Sequence, residues 1–319
     1  MIGTILIALV AGSASALMFA SIISGALVSL LLVYLAPLPL MVAAMGWGPL
    51  YASLAGIAAA LGLGAVFGLP YCLAFAITVA LPAWWLGHLA LLGRPLHHAA
   101  AEGAAPDIEW YPVGRILLWI AGFAALITMA ALLTLGTDAD AIAGALSQLF
   151  LQALAIKEEA LSAELKQKIG LVASLAPPVG ASFAMMTLTL NLWLAAKVTA
   201  TSGRLTRPWP ELRSAALPPM TLVALCVAIA LCFAGGLAAM LAGIVTACLM
   251  VAYALTGFAV LHTLTLALKA RAFWLGSTYA IVVMFMWPVV ALIALGLADA
   301  VFGLRARFLR NRPPPLPSP

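Results

Sequence analysis

The first charged side chain in the chain is Arg94, and every residue before it is uncharged. Further uncharged runs occupy 116–137, 169–196, 214–268 and 272–298. Soluble domains carry roughly 25% charged residues, whereas this chain has 8% charged and 66% hydrophobic residues. So few charges cannot cover the surface of a water-soluble fold of this length. The sequence therefore predicts that lipid surrounds most of these side chains.

The uncharged runs are long enough for several membrane-spanning helices, because one span needs about 20 apolar residues. They are continuously apolar rather than alternating, which favours helices over strands. The sequence predicts an all-α, polytopic transmembrane helix bundle of about nine helices, within a range of eight to ten. Residues 1–20 are expected to stay as the first helix, because no basic residue precedes the apolar stretch. The predicted helices are 3–20, 26–45, 49–69, 71–92, 114–136, 170–197, 216–234, 237–268 and 274–302.

The segment 138–168 differs from the rest in being the longest polar stretch. Its apolar residues fall within one sector of a helical wheel, which predicts one or two amphipathic helices that lie on the membrane or cover the bundle. Lys157, Glu164 and Lys168 crowd one edge of that apolar stripe, so the pattern is imperfect. The stripe consists of Leu146, Phe150, Leu154, Leu161, Leu165 and Ile169.

Basic residues indicate which side each loop faces, because cytoplasmic loops collect Lys and Arg. They mark 94–113 and 198–214 as cytoplasmic loops, and the acidic segment 138–168 then lies on the opposite side. Residues 1–304 would form one transmembrane domain, followed by a basic, Pro-rich tail at 305–319. A cytoplasmic tail requires either a third helix within 214–268 or a final segment that re-enters the membrane. The sequence leaves both routes open.

Prolines interrupt three of the predicted helices. Pro37 and Pro39 lie in the second, Pro177 and Pro178 in the sixth, and Pro288 in the last. In lipid, backbone carbonyls freed by proline need protein partners, so such stretches face neighbouring helices or a cavity. For the first two pairs, a functional cavity and the ordinary frequency of proline in membrane helices remain alternatives. For Pro288 the ordinary explanation is preferred.

Two polar side chains within the predicted spans are candidates for ligand binding. A buried amide such as Asn191 needs a hydrogen bond, either to another helix or to a ligand in a cavity. His262 is a candidate ligand contact or proton relay, although it also fits a satisfied histidine near a helix end. Together with Pro177 and Pro178, these residues form the candidate substrate-binding set.

Asp299 precedes Arg305 by one and a half helical turns near the end of the last run. We expect Asp299 to lie near the membrane interface and to pair with an arginine of the tail. Both residues are therefore interpreted as structural rather than ligand-binding.

No pattern indicates catalysis, a cofactor or a metal site. Intramembrane hydrolases need a nucleophile–base pair or paired acids, and no HExxH, GxSxG or Walker motif occurs. His97 and His98 are adjacent, so they do not share a helical face, and no further ligand has conventional spacing.

The net charge of +5 reflects helix-end residues rather than a nucleic-acid surface. The four cysteines lie in apolar runs and are expected to be packing residues: Cys72, Cys226, Cys232 and Cys248.

Five stretches together resemble the YybS-like family of uncharacterised predicted bacterial membrane proteins. They are LLVYLAPLPLMVAAMGWG, LPAWWLGHLALL, EWYPVGRILLW, NLWLAAKVTATSGRLTRPWPELR and GLADAVFGLRAR, which together extend over almost the whole chain. That family is distantly similar to the S components of energy-coupling-factor transporters, which have about six helices. No residue here matches a ligand motif of those relatives.

The resemblance implies a multipass protein of the bacterial inner membrane that binds or transports a small molecule. Because the chain has no nucleotide-binding motif, transport would require a separate ATPase or other energising module as a partner. The alternative is a non-transporting scaffold or accessory protein, in which Asn191 and His262 are packing contacts.

Overall fold

The computed structural model describes residues 2–95, 108–154, 162–210 and 215–310. These residues are almost entirely helical and form an all-α polytopic bundle, as the sequence predicted. The first half contains α1 (Ile2–Ala20), α2 (Leu27–Leu35), α3 (Pro37–Trp47), α4 (Pro49–Phe67), α5 (Leu69–Phe75), α6 (Leu81–Leu91) and α7 (Val113–Leu133). The second half contains α8 (Ala139–Ala153), α9 (Ala163–Thr201), α10 (Met220–Leu231), α11 (Gly236–Leu264), α12 (Arg271–Phe285), α13 (Val289–Phe302) and α14 (Leu304–Arg310).

The chain divides into two compact units. Unit 1 comprises Met1–Pro112, Gly122–Ile127 and Phe183–Trp209. Unit 2 comprises Val113–Ala121, Thr128–Ser182 and Pro210–Pro319. Helices α7 and α9 each contribute residues to both units.

Glycine followed by proline separates successive helices of unit 1. Gly48 and Gly68 adopt positive φ angles of 111° and 90°, which cost glycine little because it has no Cβ. Pro49 and Pro70 then occupy the first turn of the next helix, where a missing N–H costs no helical hydrogen bond. The resulting helices pack as α1 on α4 and α3 on α6.

Two proline-containing stretches of unit 1 depart from regular α-helix. The predicted second helix breaks at Ala36, between α2 and α3, so the interruption predicted at Pro37 is present. A π-helical turn at Ala76–Ala80 joins α5 to α6 just before Pro82. Proline cannot donate to the preceding turn, and a wider turn is a common way to accommodate such a defect.

A short antiparallel hairpin follows α6, which the sequence did not predict. Strand β1 (Gly93–Pro95) pairs with β2 (Ile108–Trp110), and Arg94 lies opposite Glu109. The Arg94 Nε and Glu109 Oε2 atoms are 2.6 Å apart. The hairpin lies within the predicted cytoplasmic loop 94–113, whose residues 96–107 are outside the described part of the chain, as are His97 and His98.

The number of candidate spans is seven among the described residues, or eight if the bent pair α13–α14 is one span. The apolar helices α10 and α12 are shorter than these candidate spans, so the predicted range of eight to ten stays a prediction. Helix α10 has only 12 residues, because Pro218 and Pro219 precede it and Gly235 and Gly236 follow with positive φ. The predicted last helix breaks into α12 and α13 around Met286, whose φ is 54°, two residues before Pro288.

Helix α9 is 39 residues long and continues through Pro177 and Pro178. Either a kink or a break was expected at this proline pair, and the break does not occur, because the lost backbone donors do not end the helix. The Ser182 hydroxyl donates to the Pro178 carbonyl oxygen at 2.9 Å, which supplies one local hydrogen bond after the proline pair.

The amphipathic segment is helical where it is described. The Asp138 carboxylate accepts hydrogen bonds from the backbone N–H groups of Asp140 and Ala141, so it caps α8. Ile142 and Leu151 are the buried residues of α8, whereas Leu154 of the predicted stripe is 52% exposed. Residues 155–161, including Leu161, lie outside the described residues. Ile169 of the same stripe is buried, so the stripe has both exposed and buried members, and its position on the membrane or over the bundle stays a prediction.

Candidate ligand site

A cavity with charged and hydroxyl side chains in its wall, the polar cavity of unit 2, forms where α13 turns into α14. Gly303 ends α13 in the left-handed conformation with φ 63°, and its N–H bonds the Asp299 carbonyl oxygen at 2.8 Å. This is a common helix end, which glycine favours. The axes of α13 and α14 differ by 67°. The bend carries Arg305 back towards Asp299 on the preceding turn.

Asp299 and Arg305 form a buried ion pair at this bend. The Asp299 Oδ2 atom lies 2.8 Å from Arg305 Nε and 2.7 Å from Arg305 Nη2. Its Oδ1 atom accepts the Arg305 backbone N–H at 2.8 Å, and Arg305 Nη1 donates to the Ala215 carbonyl oxygen at 2.9 Å. Each side chain is only 9% exposed. The two charges are thus compensated by each other and by backbone groups, as a buried pair requires.

The cavity beside this pair has a volume of about 390 Å³, within the usual range for small-molecule sites. Small residues of α13 and α14 form one wall, and Tyr253 and Thr256 of α11 form another. The remaining wall is the segment before α10. The lining residues are Ala216, Leu217, Tyr253, Thr256, Gly296, Asp299, Ala300, Gly303, Arg305, Ala306 and Leu309.

Close contact between α11 and α13 forms the base of this cavity. A Cβ at Gly296 would collide with the Tyr253 carbonyl oxygen, and a Cβ at Gly257 would collide with the Leu292 carbonyl oxygen. The Thr256 hydroxyl donates to the Tyr253 carbonyl oxygen at 2.9 Å, within its own helix. The two glycines therefore set the separation of the helices that carry the cavity.

Asn191 lies elsewhere, fully buried in unit 1. Its Nδ2 donates to the carbonyl oxygens of Tyr34 and Thr187, both at 2.8 Å. Tyr34 is near the end of α2, so Asn191 ties α9 to the break before α3. Its Oδ1 atom is buried and has no hydrogen-bond partner among the described residues. The contacts of Asn191 are thus with helix backbone.

His262 is partly buried near the end of α11, in unit 2. Its Nδ1 atom lies 2.9 Å from the Phe258 carbonyl oxygen of the preceding turn, and its Nε2 atom lies 3.5 Å from the Tyr279 hydroxyl. The rings of Phe258 and Tyr279 stack at 4.9 Å. None of these residues lines the polar cavity. The candidates Asn191, His262 and the proline pair are not assembled into one site.

A larger cavity of about 550 Å³ lies in unit 1 between α1 and α4. Ser13 is the one side-chain hydroxyl in its wall, and the rest are glycine, alanine, leucine, valine and phenylalanine. Exposed Leu9, Leu17 and Val66 border it. It lacks the convergent polar groups that orient a ligand, so the smaller cavity of unit 2 is the better candidate. No group of three potential metal ligands occurs among the described residues.

Sequence reasoning found Asp299 and Arg305 but not the cavity beside them. Their spacing signalled an ion pair, whereas Gly296, Tyr253 and Thr256 carry no local signal of a site. Tyr253 and Gly296 belong to helices far apart in sequence, so only the tertiary packing brings them together.

Long apolar helices with a charged pair buried at a helix bend define a multipass α-helical membrane protein. The chain belongs to the family described as predicted membrane protein DUF2232, whose model matches residues 13–300. Neither the curated proteins nor the solved structures include a match to the chain.

Proposed function

We propose that this protein binds a small molecule in the polar cavity of unit 2, as part of a multipass protein of the bacterial inner membrane. The observation that most directly supports this proposal is the buried Asp299–Arg305 pair in the wall of a cavity of about 390 Å³. Ionisable residues within membrane segments are costly and rare, and they often mark substrate pathways. The resemblance to S components and the YybS-like family agrees with binding or transport rather than catalysis.

The cavity supports binding of a compact, partly polar ligand. Its small side chains leave room, and Thr256 and the ion pair supply polar groups at one end. Transport would require an energising partner such as an ATPase, because the chain carries no nucleotide-binding motif.

The experiment is a thermal-stability screen of the purified protein in detergent against a panel of metabolites. A ligand that binds only the folded state raises the melting temperature by mass action. The variant Ala300→Phe adds bulk to the cavity wall and leaves both residues of the ion pair unchanged, and it should abolish the shift. The matched control Ala294→Phe changes an exposed residue of the same helix that does not line the cavity, and it should retain the shift.

A shift that survives in Ala300→Phe would contradict binding in this cavity. A panel of chemically varied metabolites that gives no shift at saturating concentrations would contradict small-molecule binding altogether.

The second candidate is a scaffold that assembles a membrane complex without transport. It is favoured by the contacts of Asn191 and His262, whose closest hydrogen bonds join helix backbone. Quantitative co-purification from native membranes distinguishes the two. A stable partner that remains bound to Ala300→Phe, with no ligand-dependent shift, would favour the scaffold.

A further inference from the structure

Three basic side chains of unit 1 lie over tryptophan rings near the end of α9 and in the segment after it. Lys197 Nζ is 4.2 Å from the Trp209 ring centre, and Arg204 Cζ is 4.5 Å from that of Trp47. Arg207 Cζ is 5.9 Å from that of Trp110. We call these three cations the basic rim. Such contacts stabilise a cation over the negative face of the ring.

The basic rim has no compensating acid within the described part of unit 1. Glu109 is the one acidic residue described there, and it pairs with Arg94. No described carboxylate lies within ion-pair distance of Lys197, Arg204 or Arg207. The basic rim is therefore a surface of one charge sign, which favours an anionic partner.

The three cations differ in what they already bind. Arg207 donates to the carbonyl oxygens of Ala90 and Tyr111, both at 3.0 Å, and burial lowers the pKa of its guanidinium. Arg207 therefore holds the segment after α9 against the end of α6 and the segment before α7. Lys197 and Arg204 are exposed, and within the described residues their side chains make cation–π contacts but no hydrogen bonds. Their N–H donors are available to a partner.

The position of the basic rim identifies the class of partner. Lys197 directly follows the uncharged run that ends at residue 196, where a membrane helix leaves the hydrocarbon. Tryptophan and basic residues concentrate at this level, beside the lipid headgroups. Trp193 and Trp209 are 49% and 42% exposed, so they offer apolar surface next to the cations.

We propose that Lys197 and Arg204 bind the phosphate of an anionic phospholipid, with the neighbouring tryptophans contacting its glycerol and upper acyl chain. The guanidinium of Arg204 offers forked donors suited to phosphate oxygens, and the Lys197 ammonium adds a point charge. The tryptophan faces favour an amphipathic lipid over a free phosphate ion, because an ion would gain nothing from apolar surface.

The test measures lipid affinity by titrating detergent-purified protein with phosphatidylglycerol and, separately, phosphatidylcholine, using native mass spectrometry to count bound lipids. We expect phosphatidylglycerol to bind preferentially. The double variant Lys197→Gln/Arg204→Gln should weaken it about 30-fold, because each basic residue near an anionic surface contributes about 1 kcal/mol. Lys166→Gln/Lys168→Gln removes the same charge from exposed positions of α9 in unit 2 and should leave the affinity unchanged.

Equal binding of the two lipids by the wild type would overturn the proposal, as would unchanged affinity in Lys197→Gln/Arg204→Gln. Glycerol 3-phosphate provides a headgroup without acyl chains, and its displacement of phosphatidylglycerol at comparable concentration would overturn the assignment to a lipid. If the double variant fails to fold, Lys197→Arg/Arg204→Lys keeps both charges and should retain the preference. Loss of the preference for phosphatidylglycerol in this charge-conserving variant would also contradict the proposal.

Discussion

Backbone carbonyls at the break between α2 and α3 accept hydrogen bonds from side chains of other helices. Ser15 of α1 donates to the Ala36 carbonyl oxygen at 2.6 Å, and Asn191 of α9 donates to that of Tyr34 at 2.8 Å. Both donors are fully buried. Because no water reaches such carbonyls in a bilayer, protein donors must satisfy them. Asn191 thus joins α9 to the proline-containing stretch.

We predict that Asn191→Ala lowers the free energy of unfolding by about 1 kcal/mol, since it removes an interhelical hydrogen bond. The loss should be modest, because Asn191 Oδ1 lacks a partner among the described residues. Equilibrium unfolding in mixed detergent micelles measures the change. Thr189→Val is the control, because the Thr189 hydroxyl bonds only Met185 of its own helix. A larger loss in Thr189→Val would contradict the assignment.

The Asp299–Arg305 pair gives a second prediction for single residues. Asp299→Asn leaves the Arg305 guanidinium buried without its counter-charge, and the free energy of unfolding should fall by about 3 kcal/mol. The control Arg307→Gln removes an exposed arginine from the same helix end, and it should change stability by less than about 0.5 kcal/mol.

The double variant Asp299→Asn/Arg305→Gln should lose less stability than the sum of the two single variants, because no lone charge stays buried. Additive losses measured by the same unfolding assay would mean that the two side chains act independently.

Helices α11 and α13 meet through glycine rather than through large side chains. Gly257 and Gly296 each face a backbone carbonyl of the other helix at a distance that no Cβ could occupy. Small residues allow such close approach of membrane helices. The sequence also has a small-xxx-small pattern at Ala239 and Gly243 of α11, yet Gly243 has open space where its Cβ would be.

We predict that Gly257→Ala lowers the free energy of unfolding by about 1–3 kcal/mol, since α11 and α13 must separate to admit a methyl group. Gly243→Ala, in the same helix, should be neutral or stabilising by up to about 1 kcal/mol, because alanine favours helix. Thermal unfolding of both variants in one detergent measures the contrast. Destabilisation of Gly243→Ala as large as that of Gly257→Ala would contradict a specific contact at Gly257.

The elements that sequence predicted well are those whose ends carry glycine or proline. Helix α4, and the stretch from the start of α5 to the end of α6, begin and end close to the predicted helices 49–69 and 71–92 for this reason. The failures have a different cause. Pro177 and Pro178 were expected to kink or break α9, and the break is absent, because a local defect in hydrogen bonding does not end a helix that tertiary packing supports. The cavity of unit 2 depends on contacts between distant helices, which no local pattern encodes.

At the scale of the whole molecule, the order of spans predicts which segments face which side. One crossing by α9 separates the segment containing α8 from the loop after Thr201, so the two should lie on opposite sides of the membrane. We predict that Gln148→Cys and Ser202→Cys, in a chain with the four native cysteines replaced, react with an impermeant maleimide from opposite sides. The basic loop after α9 should be protected in intact cells.

Labelling of both positions from the same side would show that α9 does not cross the membrane once. Labelling of Ser202→Cys alone in intact cells would show that α9 crosses the membrane in the direction opposite to the predicted one.

The length of α9 has a consequence for the lipids around it. Its uncharged stretch, residues 169–196, would measure about 42 Å if upright, whereas the hydrocarbon layer is about 30 Å thick. A helix longer than the layer inclines, bends or thickens the lipid locally. Lipids with shorter acyl chains form a thinner layer, which would increase the tilt of α9 away from the membrane normal. The orientation of α9 should therefore depend on membrane thickness.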